Sequence, residues 1–497
     1  MPTKLLACIA LTTILTTART VNPVARGLVQ SCDYWVAPVP EGSNSNPGTF
    51  VQPWATLDYA SAQVLVLGGA NCTVWVKDGL YTGTNDLHER LTTPTTFRAI
   101  NPYKSVLEYS GTVLELSGAR NMIFEGFEFR HSGPGASGLV VYVSRSGDLW
   151  AEDIVFRNNI FHDSYNDDLL KLHDGSRFVT VENNVFYNQG PTEQHMDVNS
   201  VTDVTIQDNL FFNDFAGSGR SDPGDTKAFI VIKDSNDNTD GLEGSQRVTI
   251  RRNIFLNWQG GPEPFIQVGN DGKPYHEAED VWVENNLLIG NAPAGMNAAL
   301  AVSGAKNVTF ANNTVAGDLP SKAYAFRVSI KGLNPPNQNI YVYNNIWSDP
   351  TGTMGAGPTS SANEFSDGDP VQTSNLILDS NLYWNGGAAI PPGDLVSPMV
   401  HDARRVVADS LLNNNQASIV LPRWNGSSFL SGNLTIRQEF VRLVNLYGQI
   451  PSGSAAVDQA DPALAPADDI LGRPRSSSPS LGAYEYALRL YVPLVLK

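Results

Sequence analysis

Hydrophobic and polar residues alternate in short segments along this chain, and one pattern recurs between residues 150 and 385. Each copy is a strand-like segment rich in Val, Ile and Thr, then a polar pair that ends in Asn, then an apolar pair. Such segments, separated by Asn, Asp, Gly and Ser, are typical of β-strands, and no 3.6-residue helical period runs through them. The pattern therefore predicts an all-β repeat. Its recurring Asn residues are Asn159, Asn184, Asn209, Asn253, Asn286, Asn313, Asn345 and Asn381.

The spacing of these Asn residues predicts a solenoid. Consecutive copies lie 25 to 44 residues apart, with the shortest interval occurring twice. Stacked coils share a minimum length and carry loops of different length, so they produce a fixed shortest interval with variable longer ones. An Asn at the same corner of every coil can stack into a ladder of side-chain amides, and Asn tolerates the left-handed backbone that such a corner needs.

The segment from about residue 30 to 385 resembles right-handed parallel β-helix proteins of the pectate-lyase type. The Asn repeat carries this resemblance, together with the opening segments 34–38, 42–49, 53–57 and 74–81. It implies an all-β fold: a single-stranded right-handed parallel β-helix, with an N-terminal cap that includes a helix at 56–67 and a C-terminal capping segment. This fold carries many activities, so it implies no particular one.

The ends of the chain predict export. Lys4 precedes an apolar run at 5–15 and then small residues, which is typical of a signal peptide, here placed at 1–25. The β-helix is expected at 30–398 and the capping segment at 399–486, where an amphipathic helix at 434–448 would cover the open end of the solenoid. In an exported protein Cys32 and Cys72 predict one disulfide.

The apolar tail at 487–497 is either a final strand or a surface-attachment segment. The segment before it resembles the C-terminal ends of bacterial secreted β-helix proteins, including surface-anchored ones. We therefore expect a protein that is secreted or held at the cell surface.

The charge balance excludes several partners. Lys and Arg total 33 against 50 Asp and Glu, so the net charge is −17, which disfavours nucleic acid and anionic membranes. Beyond the signal peptide no segment is long and apolar enough to span a membrane. No phosphate-binding glycine loop or His/Cys metal spacing occurs, so no organic cofactor or zinc is expected. We expect a monomer whose partner is a polysaccharide.

The candidate chemistry lies on one predicted sheet, whose strands precede the Asn corners by about 12 residues. Side chains alternate inward and outward along a strand, so polar residues in an apolar strand face a groove. These strands are predicted at 112–116, 139–143, 169–173, 196–198, 229–233, 265–268, 300–302 and 326–328. The predicted catalytic residues are Asp167, Asp168, Lys171, His195, Asp197 and Lys233, and the predicted substrate-binding residues are His173, Glu193, Asn199, Arg220 and Gln267.

Three functions fit these residues. In inverting hydrolysis, two separated carboxylates act as acid and base. The segment 166–172 resembles the paired-Asp coil of polygalacturonases, but the neighbouring Asn-Thr-Asp and the glycines around the His of that family are missing.

In β-elimination on a uronic-acid polymer, Lys171 or Lys233 is the base, and Ca²⁺ acidifies the proton. The predicted Ca²⁺ ligands are Asp167, Asp168 and Asp197, with Glu193 as a further one. The third function is non-catalytic glycan binding, adhesin-like, with Trp258, Trp282, Trp347 and Trp384 available to stack on sugars. The residues favour a polysaccharide-cleaving protein and leave the choice of reaction open.

Overall fold

The computed structural model describes residues 32–486 except 293, 319–324, 357–363, 369 and 394–396. The predicted signal peptide and the apolar tail lie outside the described residues. Nearly all regular structure belongs to three parallel sheets, and each coil of the chain contributes one strand to each sheet in turn. The predicted parallel β-helix is confirmed.

Sheet 1 has twelve strands, and in the coils of the repeat its strand lies immediately before the Asn corner in the sequence. It consists of β1 (Asp33–Val36), β2 (Thr73–Val76), β5 (Arg90–Ala99), β8 (Arg120–Glu125), β11 (Glu152–Arg157), β14 (Arg177–Glu182), β17 (Thr202–Gln207), β20 (Ser245–Arg251), β23 (Ala278–Glu284), β26 (Ala305–Ala311), β29 (Asn337–Tyr343) and β32 (Thr373–Asp379).

Sheet 2 has ten strands and is the sheet predicted to carry the groove. It consists of β4 (Asn85–Asp86), β7 (Leu114–Ser117), β10 (Val141–Ser144), β13 (Leu170–His173), β16 (Met196–Asn199), β19 (Ile230–Lys233), β22 (Ile266–Val268), β25 (Leu300–Ser303), β28 (Phe326–Ser329) and β31 (Ser366–Gly368). The predicted strands are confirmed, with ends displaced by one or two residues.

Sheet 3 has twelve strands and follows the Asn corners. It consists of β3 (Gly79–Thr82), β6 (Ser105–Tyr109), β9 (Phe127–His131), β12 (Ile160–His162), β15 (Val185–Tyr187), β18 (Leu210–Phe212), β21 (Ile254–Phe255), β24 (Leu287–Gly290), β27 (Thr314–Gly317), β30 (Ile346–Asp349), β33 (Leu382–Asn385) and β34 (Val406–Val407). Because β34 pairs with β33, sheet 3 continues past residue 398, where the β-helix was expected to end.

Non-β elements are few in the described part of the chain. The helices are α1 (Leu57–Leu67), α2 (Pro398–His401) and α3 (Ile436–Leu443), which continues as a π turn at Val444–Gly448. Single 3-10 turns lie at Ala216–Ser218, Pro370–Gln372 and Gln416–Ser418.

The interior is filled by aromatic side chains that stack from coil to coil. Phe161, Phe186 and Phe211 are fully buried, and their ring centroids lie 4.6 and 5.0 Å apart with nearly parallel planes. This stacking follows from the register, in which these residues pair directly on β12, β15 and β18. Offset-stacked aromatic pairs contribute about 0.5–1.5 kcal/mol beyond their buried area.

The two residues of the polar pair at each corner have different roles. Its first residue has a left-handed backbone, with φ between 52° and 58°. Its second residue is a fully buried Asn whose backbone N–H donates to Oδ1 of the next Asn at 2.8–3.1 Å. The ladder ends at Asp402, whose Oδ2 accepts from the backbone and side-chain nitrogens of Asn381. The predicted ladder is therefore present.

The N-terminal end contains the predicted helix and disulfide. α1 begins after Thr56, whose hydroxyl accepts from the Tyr59 N–H at 3.4 Å, and ends at Gly68 with φ +69°. An N-cap threonine and a left-handed C-terminal glycine are strong helix boundaries. The disulfide joins Cys32 and Cys72 beside this helix.

The C-terminal segment lies in a different place from the one expected. The helix predicted at 434–448 is present as α3 and its π turn, but it does not sit over the end of the solenoid. It packs along the outer face of sheet 3 against β24 and β27. Phe440, Leu443 and Val444 are fully buried there, in a second apolar cluster with the outward side chains of sheet 3. The physical reason is that this outer face of sheet 3 is apolar, so packing the helix against it removes apolar surface from water.

Candidate active site

Sheet 2 aligns polar side chains from neighbouring coils into a strip. Lys171 on β13 pairs directly with Asp197 on β16, and His173 pairs with Asn199. Asn199 in turn pairs with Lys233 on β19. The inward residues between them, such as Leu172 and Val198, belong to the core. We call the outward residues Tyr142, Lys171, His173, Asp197, Asn199, Lys233 and Gln267 the polar strip.

A chain of alternating charges crosses the strip. Lys171 Nζ lies 2.8 Å from Asp197 Oδ2, and Lys233 Nζ lies 3.8 Å from the same oxygen and 3.5 Å from Asp271 Oδ2. Burial opposes the charge on Asp197, but the two ammonium groups outweigh it and lower the pKa of that carboxyl. Burial also opposes the charge on Lys171, but Asp197 and Asp168 raise its pKa. Both lysines are therefore protonated in the free protein.

A cluster of three carboxylates lies at the loops that enter these strands. One oxygen each from Asp167, Asp168 and Glu193 lies within 4.8 Å of the others. Gln194 N–H donates to Asp168 Oδ1 at 3.0 Å, whereas Asp168 Oδ2, fully buried, has no hydrogen-bond partner among the described residues. Burial and the Asp197 charge raise the pKa of Asp168, and burial and the Asp167 charge raise the pKa of Glu193 to about 7.

The carboxylate cluster contains three of the four predicted metal ligands. Asp167, Asp168 and Glu193 come together as expected, and Asp197 is not among them. Asp197 lies on the strand itself, where its Oδ2 is bonded to Lys171. Glu193 comes from the preceding loop, whose backbone contacts the Asp168 side chain through Gln194.

Three predicted substrate-binding residues lie on the strip with partners of their own. His173 Nδ1 is 3.2 Å from the Tyr142 hydroxyl, and burial lowers the pKa of the imidazole. Asn199 is buried and holds the following loop, since its side chain exchanges two hydrogen bonds with Ser235. Gln267 Nε2 donates to the Gly269 carbonyl at 2.5 Å. Of these, His173 is best placed to reach a ligand.

His195 lies away from the groove, contrary to the prediction. Its ring is fully buried in the core between Phe211 and Phe229, and its Nε2 is 2.9 Å from Asn213 Oδ1. Burial lowers the pKa of His195 to about 3, so the ring is neutral. Strand alternation would place His195 outward, because it precedes inward Met196. His195 lies just before β16, however, and the loop turns its ring into the aromatic stack.

Arg220 also differs from its predicted role. It is almost fully buried, and it donates to the carbonyl oxygens of Ser164 and Asn188 and to Asp163 Oδ1. Its guanidinium stacks on Tyr165 at 4.2 Å. Arg220 therefore fixes the loop between β18 and β19, in which it lies, to the coil corner.

Sequence reasoning missed Tyr142 of the polar strip and Asp271 beside it. Tyr142 occupies the rung before Lys171 in the same outward column, and Asp271 approaches Lys233 from the loop after β22. Tyr142 had a usable signal, because it alternates with apolar Val141 and Val143. Asp271 had none, since its loop position relative to Lys233 depends on how the coils stack.

The arrangement sets acids and bases side by side. Asp168 and Glu193, whose pKa values are raised, lie near Asp197, whose pKa is lowered, and environments that separate the pKa values of neighbouring carboxyl groups are typical of catalytic sites. The cluster offers only hard oxygen ligands, which suit Ca²⁺ better than zinc. The free Asp168 oxygen is a ligand atom with nothing else to bind among the described residues.

Comparison with known proteins identifies the fold. Residues 103–315 match the family model of the right-handed β-helix region. No curated protein sequence matches this chain. The chain is thus a right-handed parallel β-helix. Within its described residues no helix has the length and apolar character needed to cross a bilayer.

Solved structures resemble the chain to different degrees. Pectate lyase Pel9A is 16% identical, with a TM-score of 0.58 over 92% of this chain and 97% of that chain. A mannuronic-acid-specific family 6 polysaccharide lyase from the human gut microbiota is 14% identical, with a TM-score of 0.47 over 79% and 89% of the two chains. XylC bound to xylose is 10% identical, with a TM-score of 0.47 over 92% and 98%.

Proposed function

We propose that this protein cleaves an extracellular polysaccharide containing uronic acid, by β-elimination in the groove over the polar strip. One observation carries the proposal: the carboxylate cluster lies beside two lysines on sheet 2, Lys171 on β13 and Lys233 on β19, with Asp197 on β16 between them. Elimination needs a base for the proton next to the sugar carboxylate, and positive charge where negative charge develops. The strip supplies residues for both tasks.

The residues of the cluster fit Ca²⁺. Asp167, Asp168 and Glu193 would hold it, because Ca²⁺ takes carboxylate oxygens in flexible geometry and the buried Asp168 Oδ2 is unpaired among the described residues. When bound, Ca²⁺ neutralises the carboxylate of the sugar and so makes the neighbouring carbon acid stronger. The protein has a net charge of −17, so a polyanion needs such local compensation.

The two lysines take different roles in the proposal. Asp197 is the strongest charge partner of both lysines, but Lys171 interacts next with Asp168 and also with Asp167, whereas Lys233 interacts next with Asp271 and more weakly with Asp168. Lys171 is therefore the candidate base, since it is the lysine more strongly coupled to the cluster. The carboxylates keep its ammonium protonated in the free protein, so it becomes a base only when their charge is compensated. Lys233 stabilises the developing negative charge.

Independent observations support the substrate class. Pectate lyase Pel9A is the compared structure with a TM-score above 0.5, and its name states a uronic-acid polymer as substrate. The disulfide between Cys32 and Cys72 suits an oxidising, extracellular compartment. Together they favour a secreted lyase on an acidic polysaccharide.

The test is a panel of polysaccharides assayed for two products. Polygalacturonate, alginate and neutral glycans are incubated with the full chain, with Ca²⁺ and after chelation. We expect ultraviolet absorbance from an unsaturated sugar with at least one uronate polymer, lost on chelation and restored by Ca²⁺. No unsaturated product from any uronate polymer contradicts the proposal.

Inverting hydrolysis is the second candidate, and the opposite pKa shifts favour it. Glu193, with its pKa raised to about 7, could donate a proton, and ionised Asp197 could act as base. Asp197 is nearly buried and bonded to Lys171, which leaves little room for the attacking water. New reducing ends without unsaturation would select hydrolysis. Binding without either product would select the adhesin-like function.

A further inference from the structure

Sheet 1 carries a second groove on a different face from the polar strip. Its floor is a column of hydroxyl groups, Thr180, Thr205 and Thr249, which pair directly on β14, β17 and β20. The adjacent column, including Arg157 and Gln207, forms one wall. These residues line an open depression of about 540 Å³. A regular floor of hydroxyls is a surface that can exchange hydrogen bonds with a hydroxylated ligand.

An exposed tryptophan continues the floor. Trp282 on β23 pairs with Thr249 on one side and with Thr309 on the other. It is 39% exposed, whereas the other eight tryptophans, all within the described residues, are buried or half-buried. Tyr341 occupies the same column one coil after Thr309. The small threonines leave the indole face open, and an apolar ring face in water is a stacking platform.

Side-chain amides border this aromatic column. Asn307 Nδ2 donates to Asp280 Oδ1 at 2.9 Å, Asn339 Nδ2 to Asn307 Oδ1 at 2.9 Å, and Asn375 Nδ2 to Asn339 Oδ1 at 2.8 Å. This ladder lies outside the solenoid, two residues before Trp282, Thr309 and Tyr341 in each strand. Each amide uses part of its hydrogen-bonding capacity in the ladder, and the rest is available to a ligand.

The charges of the groove select an uncharged ligand. Arg157 Nε donates to Glu125 Oε2 at 2.8 Å, and Arg251 Nε donates to Gln207 Oε1 at 3.0 Å. Gln207 Nε2 donates to Glu182 Oε2 at 2.9 Å. Each of the two guanidinium groups therefore has a carboxylate nearby that balances its charge. For Arg251 this is Glu284, at 4.0 Å. A polyanion would have to break these contacts, whereas a neutral hydroxylated ligand can add to them.

We propose that this face of sheet 1 is a non-catalytic binding site for a neutral polysaccharide. A sugar ring would stack on Trp282. Its hydroxyl groups would bond to the threonine hydroxyls of the floor and to the guanidinium and amide groups of the wall. From Thr180 to Tyr341 the column crosses five coil spacings of about 4.8 Å, or about 24 Å, which is the length of a short oligosaccharide. The site would hold the protein on a mixed polysaccharide matrix, independently of cleavage at sheet 2.

The test is binding of the full chain to soluble neutral polysaccharides, namely xyloglucan, glucomannan and mixed-linkage β-glucan, by affinity electrophoresis and calorimetry. Trp282→Ala should weaken binding about tenfold, the usual scale for loss of an aromatic stacking contact. Thr205→Val keeps the side-chain shape, removes one floor hydroxyl and should weaken binding about threefold. Trp75→Ala is the matched control, since Trp75 lies on the same sheet about 34 Å away, seven coils from Trp282.

Three outcomes would overturn this proposal. The first is that none of the three polysaccharides binds. The second is that Trp282→Ala behaves like Trp75→Ala while both remain folded by circular dichroism. The third is that Trp282→Ala changes the oligomeric mass in solution and leaves glycan binding unchanged, which would assign the face to a second copy of the chain.

Discussion

At the scale of single residues, the surroundings of each carboxylate decide its charge. Asp168 and Asp197 are both buried, yet the pKa of Asp168 is raised and the pKa of Asp197 is lowered. Asp197 is bonded to the Lys171 ammonium at 2.8 Å, whereas Asp168 Oδ2 has no hydrogen-bond partner among the described residues. The same residue type is thus a candidate acid in one place and a fixed anion in the other.

Replacement of Lys171 tests its role as the base. Lys171→Ala should lower kcat on an accepted uronate polymer by about 10²–10⁴-fold, the usual contribution of a general base. The rate of unsaturated-product formation measures this. Lys306→Ala is the matched control, because Lys306 pairs with Glu279 on sheet 1, away from the strip. Equal rates for the two variants would exclude Lys171 as the base.

His162 predicts a pH-dependent stability. It lies 2.7 Å from Asp163 and 3.2 Å from Glu128, and despite burial these carboxylates raise its pKa to about 9. Its unfolded pKa is near 6.5, so its stabilising contribution, about 3 kcal/mol, is complete below that pH and is lost as the pH rises through about 9.

His162→Gln should therefore lower the free energy of unfolding by about 3 kcal/mol at about pH 6 and by much less at about pH 10. Urea unfolding at the two pH values measures the difference. The exposed His88, as His88→Gln, serves as the control. The interpretation fails if the cost of His162→Gln is the same at both pH values.

At the scale of elements, the Asn corners align the three sheets. Asn209 accepts from the backbone and side-chain nitrogens of Asn184 and donates to Val181 O and Asn253 Oδ1. All of these groups are buried, so each lost bond leaves an unpaired polar atom. The outer ladder through Asn339 makes similar bonds but is only half-buried, so water can replace them.

The two ladders should therefore differ in energy. Asn209→Ala is expected to cost about 3 kcal/mol of unfolding free energy, since orphaned buried donors and acceptors cost about 1–3 kcal/mol each. Asn339→Gly, which suits the φ of +55° at that position, should cost about 1 kcal/mol or less. Chemical denaturation of both variants gives the comparison. A larger cost for Asn339→Gly would contradict it.

At the scale of the whole molecule, the three outer faces have three different surfaces. Sheet 2 presents the polar strip, sheet 1 the threonine groove with Trp282, and sheet 3 an apolar face covered by the C-terminal segment. Polar contacts also hold this segment, since Arg252 at the corner after β20 donates to Asp468 at 2.7 Å and Thr314 Oγ1 accepts from Ala483 N–H. The C-terminal segment therefore stabilises the solenoid from the outer face of sheet 3.

Replacement of Phe440 tests whether the C-terminal segment affects only stability or also the polar strip. Phe440→Ala removes a fully buried ring between α3 and sheet 3 and should cost about 3–5 kcal/mol. We expect faster proteolytic cleavage within 411–486, with polysaccharide affinity at the strip unchanged in the folded fraction. Leu446→Ala, at a position 44% exposed, is the control. Loss of groove binding in the folded variant would show that the segment supports the site.

The sequence by itself determined the repeat, the coil corners, the sheet 2 strands and, except for Tyr142, the residues of the polar strip. These follow from local pattern, because side chains alternate along a strand and the same corner recurs in each coil. Only the tertiary structure decided that His195 points into the core, that Arg220 anchors a loop and that Asp197 bonds Lys171 instead of joining the carboxylate cluster. Loop side chains have no fixed period, so their direction depends on contacts between coils. The same holds for the C-terminal helix, whose apolar face was evident but whose partner surface depended on which outer face of the solenoid was left apolar.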